Sequence, residues 1–247
     1  MHIIMNEKHL LILVMFFGFF SCTNNTKKLT EDLSSKFDIP IVIDTLHRNR
    51  IQLETVWLQT GIYRPVYIGI KKDTIINSYR PNFKKYFVYN EDRSKYIKPD
   101  STEIFIVVDT NRVVSEHAII WEDDGSMCSE KSFEAFPVFV VNTTKDTLNI
   151  GNGNHLPIIM EAIDANGLWK QIEERFIYNC GTGLNSIILP PNNIVVTSTP
   201  IYKGKYKTKL RLRYNKVLSR EFNGTINLTQ FDSEWDENGN RKPLPKK

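Results

Sequence analysis

Along most of this chain the apolar residues come in short bursts, without the sustained 3.6-residue period of an amphipathic helix. "IPIVI" (39–43), "LETVW" (53–57), "RPVYIGI" (64–70), "EIFIVVD" (103–109), "HAIIW" (117–121), "FPVFVVN" (136–142) and "LPIIMEAI" (156–163) are rich in β-branched and aromatic residues. Turn-prone clusters separate them, among them "EDDGS" (122–126), "NTTKD" (142–146), "GNGN" (151–154) and "DANG" (164–167). Runs of this length and composition, punctuated in this way, predict strands. One stretch is ambiguous: in "LWKQIEERFIY" (168–178), Leu168, Ile172 and Phe176 recur at helical spacing. Its place directly after the turn "DANG" favours a strand. The fold class expected is all-β, with antiparallel pairing.

The pattern from 132 to 232 resembles an immunoglobulin-like β-sandwich of the kind found in exported bacterial proteins. "PVFVVNTTKDTLNI" matches a first hairpin, and "PIIMEAIDANGLWKQIE" a central pair with Trp169 beyond the turn. "IILPPNNIVVTSTPIY" then leads to an edge, and "YKTKLRLRYN" with "NGTINLTQF" supplies closing strands. The Cys-Trp-Cys arrangement of antibody domains is not reproduced. The division expected is a β-rich N-terminal region (37–131), the sandwich (132–232) and a flexible polar tail (233–247).

Within that sandwich, "YKGKYKTKLRLRY" (202–214) carries a cation at every odd position: Lys203, Lys205, Lys207, Lys209, Arg211 and Arg213. Side chains alternate faces along a strand, so this comb occupies one side, while Tyr206, Leu210, Leu212 and Tyr214 occupy the other. The apolar side must face the core, since a one-residue slip would bury the whole cationic row. Two readings follow. The comb is a solvated face that deters strand-to-strand aggregation, or it is an anion-binding surface. No Asp or Glu occurs between Arg175 and Arg220, so neutralisation has to come from residues such as Glu161, Glu173, Glu174 or Glu221. A second basic and aromatic stretch (79–98) reads as an ordinary strand pair.

The first residues bear on location. Lys8 and His9 precede an unbroken apolar run, Leu10 to Phe20, which ends in Ser21 and Cys22 before the chain turns polar. Eleven residues are too few to span a hydrocarbon core of about 30 Å, so the run reads as a secretory signal. "FFSC" resembles the relaxed lipobox of Bacteroidota lipoproteins, and the chain as a whole resembles that group, a likeness that brings no activity with it. The resemblance implies a signal peptide (1–21) cleaved before Cys22. A diacylglycerol would sit on its thiol, palmitate or a similar chain on its amino group, and 22–36 would form a tether. Thr23 in place of Asp, and the lack of an acidic run, imply the outer membrane, facing the periplasm. With Cys22 lipidated, Cys128 and Cys180 remain, either as a disulfide in an oxidising compartment or as two free thiols.

Composition narrows the functional classes. A net charge of +4 over 247 residues is too small to suggest nucleic-acid binding, and an exported location disfavours it further. His47, His117 and His155 are scattered, and no zinc spacing, G-x-S-x-G elbow or phosphate-binding loop occurs. Glu122, Asp123 and Asp124 lack calcium-loop periodicity and read as a turn. No cofactor or metal is expected. The expectation is an envelope lipoprotein with a non-catalytic binding or structural role. Its partners would be the membrane and an anionic lipid, an acidic glycan or an envelope protein. An exported hydrolase built on unrecognised carboxylates is the alternative.

Overall fold

The computed structural model describes residues 37–45, 49–77, 84–88, 96, 98–99, 103–120, 129–177, 185–234, 236–237 and 242–243. Contacts cluster into Met1–Asp38 and Ile39–Lys247, and the account below concerns the second unit. The signal peptide, Cys22, the tether to residue 36, the acidic turn at 122–124, Cys128 and Cys180 lie outside the described residues, as does most of 79–98.

The described residues are all-β, with strands and two short 3-10 turns. First come β1 (Ile41–Asp44), β2 (Arg50–Ile51), β3 (Gln59–Gly61), β4 (Tyr67–Ile70), β5 (Thr74–Asn77) and β6 (Phe87–Val88). Then follow β7 (Ile104–Val108), β8 (Val114–Ile120), β9 (Ser129–Asn142), β10 (Leu148–Asn152), β11 (Ile158–Ile163) and β12 (Trp169–Gln171). The last are β13 (Glu173–Arg175), β14 (Ser186–Leu189), β15 (Asn193–Pro200), β16 (Tyr206–Tyr214), β17 (Val217–Leu218) and β18 (Phe222–Ile226). The ambiguous stretch after "DANG" is therefore strand, broken at Ile172 into β12 and β13. The turn itself is built as its residues suggest: the Asp164 carboxylate accepts the Asn166 and Leu168 N–H groups, and Gly167 takes φ +79°.

β9 organises the larger sheet. One of its edges pairs with β15 and, further along, with β2; the other pairs with β7 and β8. Pro137 explains why β7 and β8 are two strands and not one. Its carbonyl accepts the Asp109 N–H at 2.9 Å on the β7/β8 edge. A strand residue directs both backbone groups to the same edge, so the N–H that proline lacks is missing here, and the ladder breaks. The chain leaves the sheet at 110–113 and rejoins it opposite Ala135.

β15 pairs with β4 as well as β9, so it lies inside the sheet and not at the edge expected from sequence. The expected division at 131/132 falls inside β9, and strands from both sides of it share sheets: β4 joins β15, and β3 joins β13. Part of the expected tail packs on the body. The Lys242 N–H donates to the Glu234 carbonyl, and its ammonium lies 5.9 Å over the Trp57 ring.

In the second large sheet β16 is central, with β11 on one edge, β17 and β18 on the other, and β12 beyond β11. Val138, Val140, Ile104, Ile106 and Val195 from the first sheet share one buried cluster with Ile158, Met160, Leu210, Leu212 and Phe222 from the second. β10 and β14 add Leu148, Ile150, Ile187 and Leu189. An edge-to-face contact between Phe136 and Phe222, with centroids 6.1 Å apart, joins the two sheets directly.

Entry into β16 depends on a close backbone approach. A Cβ at Gly204 would stand 2.0 Å from the Ile226 carbonyl carbon and 2.2 Å from its oxygen. Both neighbours are backbone and cannot rotate away. Gly204→Ala should therefore lower the unfolding free energy by about 1–3 kcal/mol, the usual range for overpacking, read as a lower urea midpoint.

Candidate anion-binding face

The alternation of β16 is as expected: Leu210, Leu212 and Tyr214 are buried, while Lys207 and Lys209 are exposed and Arg211 and Arg213 half-buried. The comb is not uniform, however. The strand starts at Tyr206, so Lys203 and Lys205 lie on the approach to it. Neighbouring strands then divide the cations into three groups.

Arg211 and Arg213 are neutralised. Register places Glu161 of β11 opposite Arg211. The Arg211 Nε donates to Glu161 Oε2 at 2.8 Å, its Nη2 lies 2.7 Å from the same oxygen, and the Arg213 Nε donates to Oε1. Glu161 is 7% exposed, so the pairing is sheltered from solvent. The Arg211 guanidinium also lies 4.0 Å over the Trp169 ring, a cation–π contact across the sheet face. Two guanidiniums against one carboxylate leave one positive charge.

Lys203 has a weaker partner, Glu54 at 3.5 Å, with both side chains 64% exposed; pairs of this kind contribute little. Lys205, Lys207 and Lys209 have no ion-pair partner among the described residues. Opposite Lys207 and Lys209 on β18 stand Thr225 and Asn223, which offer hydrogen bonds and no charge. Lysines two residues apart on a strand sit about 7 Å from one another, inside one Debye length at physiological salt, so their fields add. The open cationic surface is thus Lys205–Lys209, flanked by the braced guanidiniums.

A second polar cluster lies inside the molecule. Glu173 of β13, 1% exposed, accepts the Tyr63 hydroxyl at 2.6 Å, the Tyr202 hydroxyl at 2.7 Å and the Met160 N–H at 2.8 Å. Tyr63 has given its only proton to Glu173, so its 3.3 Å contact with Thr199 has the Thr199 hydroxyl donating. Burial pushes the Glu173 carboxyl up, against the pull of the two tyrosines and the Met160 N–H. The same burial, reinforced by Glu173, raises both tyrosines well above their ordinary value.

Glu116 of β8, half-buried as a residue but with its carboxyl enclosed, accepts the Ser198 hydroxyl at 3.2 Å. Burial pushes it up to about 8, Ser198 and Arg64 pull it down, and the Glu173 charge adds to the rise. Nearby, His155 stacks on Phe176 with centroids 4.1 Å apart and takes a 3.4 Å contact from Arg64 Nε; burial and the Arg64 charge lower it to about 4.

Sequence reasoning had Glu161 among several acids able to neutralise the comb, and had Glu173 only in that same role. The structure assigns Glu161 to the arginines and puts Glu173 in the core. Nothing in "QIEER" distinguishes a buried glutamate from its exposed neighbour Glu174, because the donors that satisfy it come from positions up to 110 residues away. Chemically, both oxygens of Glu173 are occupied by donors of the fold, so the cluster ties strands together. Compared with protein-family models, curated proteins and solved structures, the chain matches none.

The buried groups have a pH consequence of defined sign. Glu116 and Glu173 hold protons more tightly folded than unfolded, so the stability they contribute is full below their unfolded values and falls as pH rises. His155 is depressed, so its contribution is full above about 6.5 and falls towards pH 4. Between pH 6.5 and 8 His155 no longer contributes to the pH dependence and Glu116 does. Stability should fall across that window with a slope of up to about 1.4 kcal/mol per pH unit for each proton released. Urea titrations of Glu116→Gln should show a distinctly flatter limb there than the unaltered protein.

Proposed function

We propose that this protein is an envelope lipoprotein, anchored through Cys22, whose β-sandwich body binds an anionic partner through Lys205, Lys207 and Lys209. The observation that carries the reading is the unequal treatment of the comb. The fold spends a buried carboxylate on bracing Arg211 and Arg213, yet places only Thr225 and Asn223 opposite the neighbouring lysines. A face meant only to stay soluble has no need of a contiguous row of one sign, and mixed charge serves that end better. Suitable ligands present several negative charges along a line, as acidic glycans and lipid A phosphates do.

The body is read as an immunoglobulin-like sandwich on its strand order. β7, β9 and β15 stand in the relation of strands A, B and E, while β11, β16 and β18 stand in that of C, F and G. β4, from earlier in the chain, holds the place beside β15 where such a sandwich carries its D strand. The role proposed is non-catalytic, at the periplasmic face of an outer membrane.

Two measurements test the two halves of the reading. Cys22→Ser should move the protein from the membrane to the soluble fraction of fractionated cells; retention in the membrane would remove the lipid anchor from the account. Full-length protein should bind an acidic glycan panel or lipid A-containing liposomes in a salt-sensitive way. The Lys205→Gln, Lys207→Gln, Lys209→Gln combination should weaken that binding at least tenfold. Equal binding by both proteins would leave the lysines as a solvated strand face.

A further inference from the structure

β1 and β5 pair in parallel, Ile41 with Thr74, Val42 with Ile75, Ile43 with Ile76 and Asp44 with Asn77. All-parallel sheets occur almost only with both faces covered. Here one face is covered: Val42 (7% exposed), Ile75 (3%) and Asn77 (4%) turn inward. The other presents Ile41 (48% exposed), Ile43 (46%) and Ile76 (60%), with Thr74 on the same side. The pair is firmly attached to the body. The Asp44 carboxylate accepts both the N–H and the hydroxyl of Ser115 at 2.7 Å, and the Asn77 amide donates to the Ser115 carbonyl at 3.1 Å. Three isoleucines are thus held in fixed register on an outward face. A contiguous apolar surface of this kind marks an interaction site.

We infer that this isoleucine face rests on the lipid bilayer, an inference that depends on the Cys22 anchor proposed above. Two features favour lipid as the occupant. Protein-binding hot spots are built on Trp, Tyr and Arg, whereas this face offers only aliphatic side chains and one threonine, a composition suited to acyl chains. Position along the chain also matters. Ile41 follows Cys22 by nineteen residues and begins the first strand after the tether. Even fully extended, that segment reaches no more than about 70 Å, so the lipid anchor holds β1 at high effective concentration near the membrane surface. With the lipid chains fixing the protein to the membrane, the isoleucine face fixes how the body is oriented on it.

The test uses full-length, lipidated protein in phosphatidylethanolamine–phosphatidylglycerol vesicles doped with a phospholipid that generates a carbene on illumination, followed by peptide mass spectrometry. Label is expected on the peptides bearing Ile41, Ile43 and Ile76. It should fall several-fold in the Ile41→Thr, Ile43→Thr, Ile76→Thr variant, while co-sedimentation with vesicles stays unchanged. Threonine keeps the β-branched shape, and the label pattern of the unaltered protein decides the question even if the variant folds poorly. Unlabelled peptides in a protein that still sediments would overturn the docking and leave the anchor in place. Failure to sediment would overturn both. Chemical cross-linking of two chains through this face would assign it to a second copy and overturn the lipid assignment.

Discussion

The carboxylate of Glu173 is the constraint on which the closure of this fold depends. It brings together the segment at Tyr63, the backbone of β11 at Met160 and the start of the β16 approach at Tyr202. A buried charge stripped of its partners costs several kcal/mol, so these three stretches are obliged to meet at one point. The space around it is correspondingly tight. A Cβ on Gly61 would stand 3.0 Å from Glu173 Oε2 and 3.0 Å from the Tyr63 ring, which leaves the β3–β13 pair room for glycine and little else. An apolar core alone would tolerate several registers of these short strands. The carboxylate, with its directional donors, admits one.

The outer face of the sheet centred on β16 obeys a different balance. Where a glutamate is in register, as Glu161 is with Arg211, charge is cancelled at short range and the aromatic ring of Trp169 closes over the pair. Two and four positions back along β16, the register on its other edge brings an asparagine and a threonine, and the field of the lysines is left to solvent and counter-ions. The difference is set by which side chain a neighbouring strand happens to place opposite, so it belongs to sheet topology as much as to β16 itself.

That distinction also explains what could be read in the sequence. Strands, the Asp164–Leu168 turn and the alternation of β16 follow from local pattern, because turn chemistry and the two-residue period act over a few positions. The strand reading of 168–178 came from its turn, and Ile172, which shares its helical spacing, became the break between β12 and β13. What stayed hidden is non-local. The parallel β1–β5 and β3–β13 pairs, the interior position of β15 and the burial of Glu173 all depend on partners far away in the chain. The boundary at 131/132 rests on where the immunoglobulin-like pattern begins, and β9 runs straight across it.

The long-range pairing of β4 with β15 and of β3 with β13 has a consequence for biogenesis. A chain is made from its N-terminus, so β3 and β4 exist long before residues 173–196 are available to pair with them. Until then their edges are open templates for aggregation. Folding of such a topology is slow, since loop closure must precede the contacts that reward it. A chain that cannot close early stays open, and its topology thereby postpones assembly until residues 173–196 have been made.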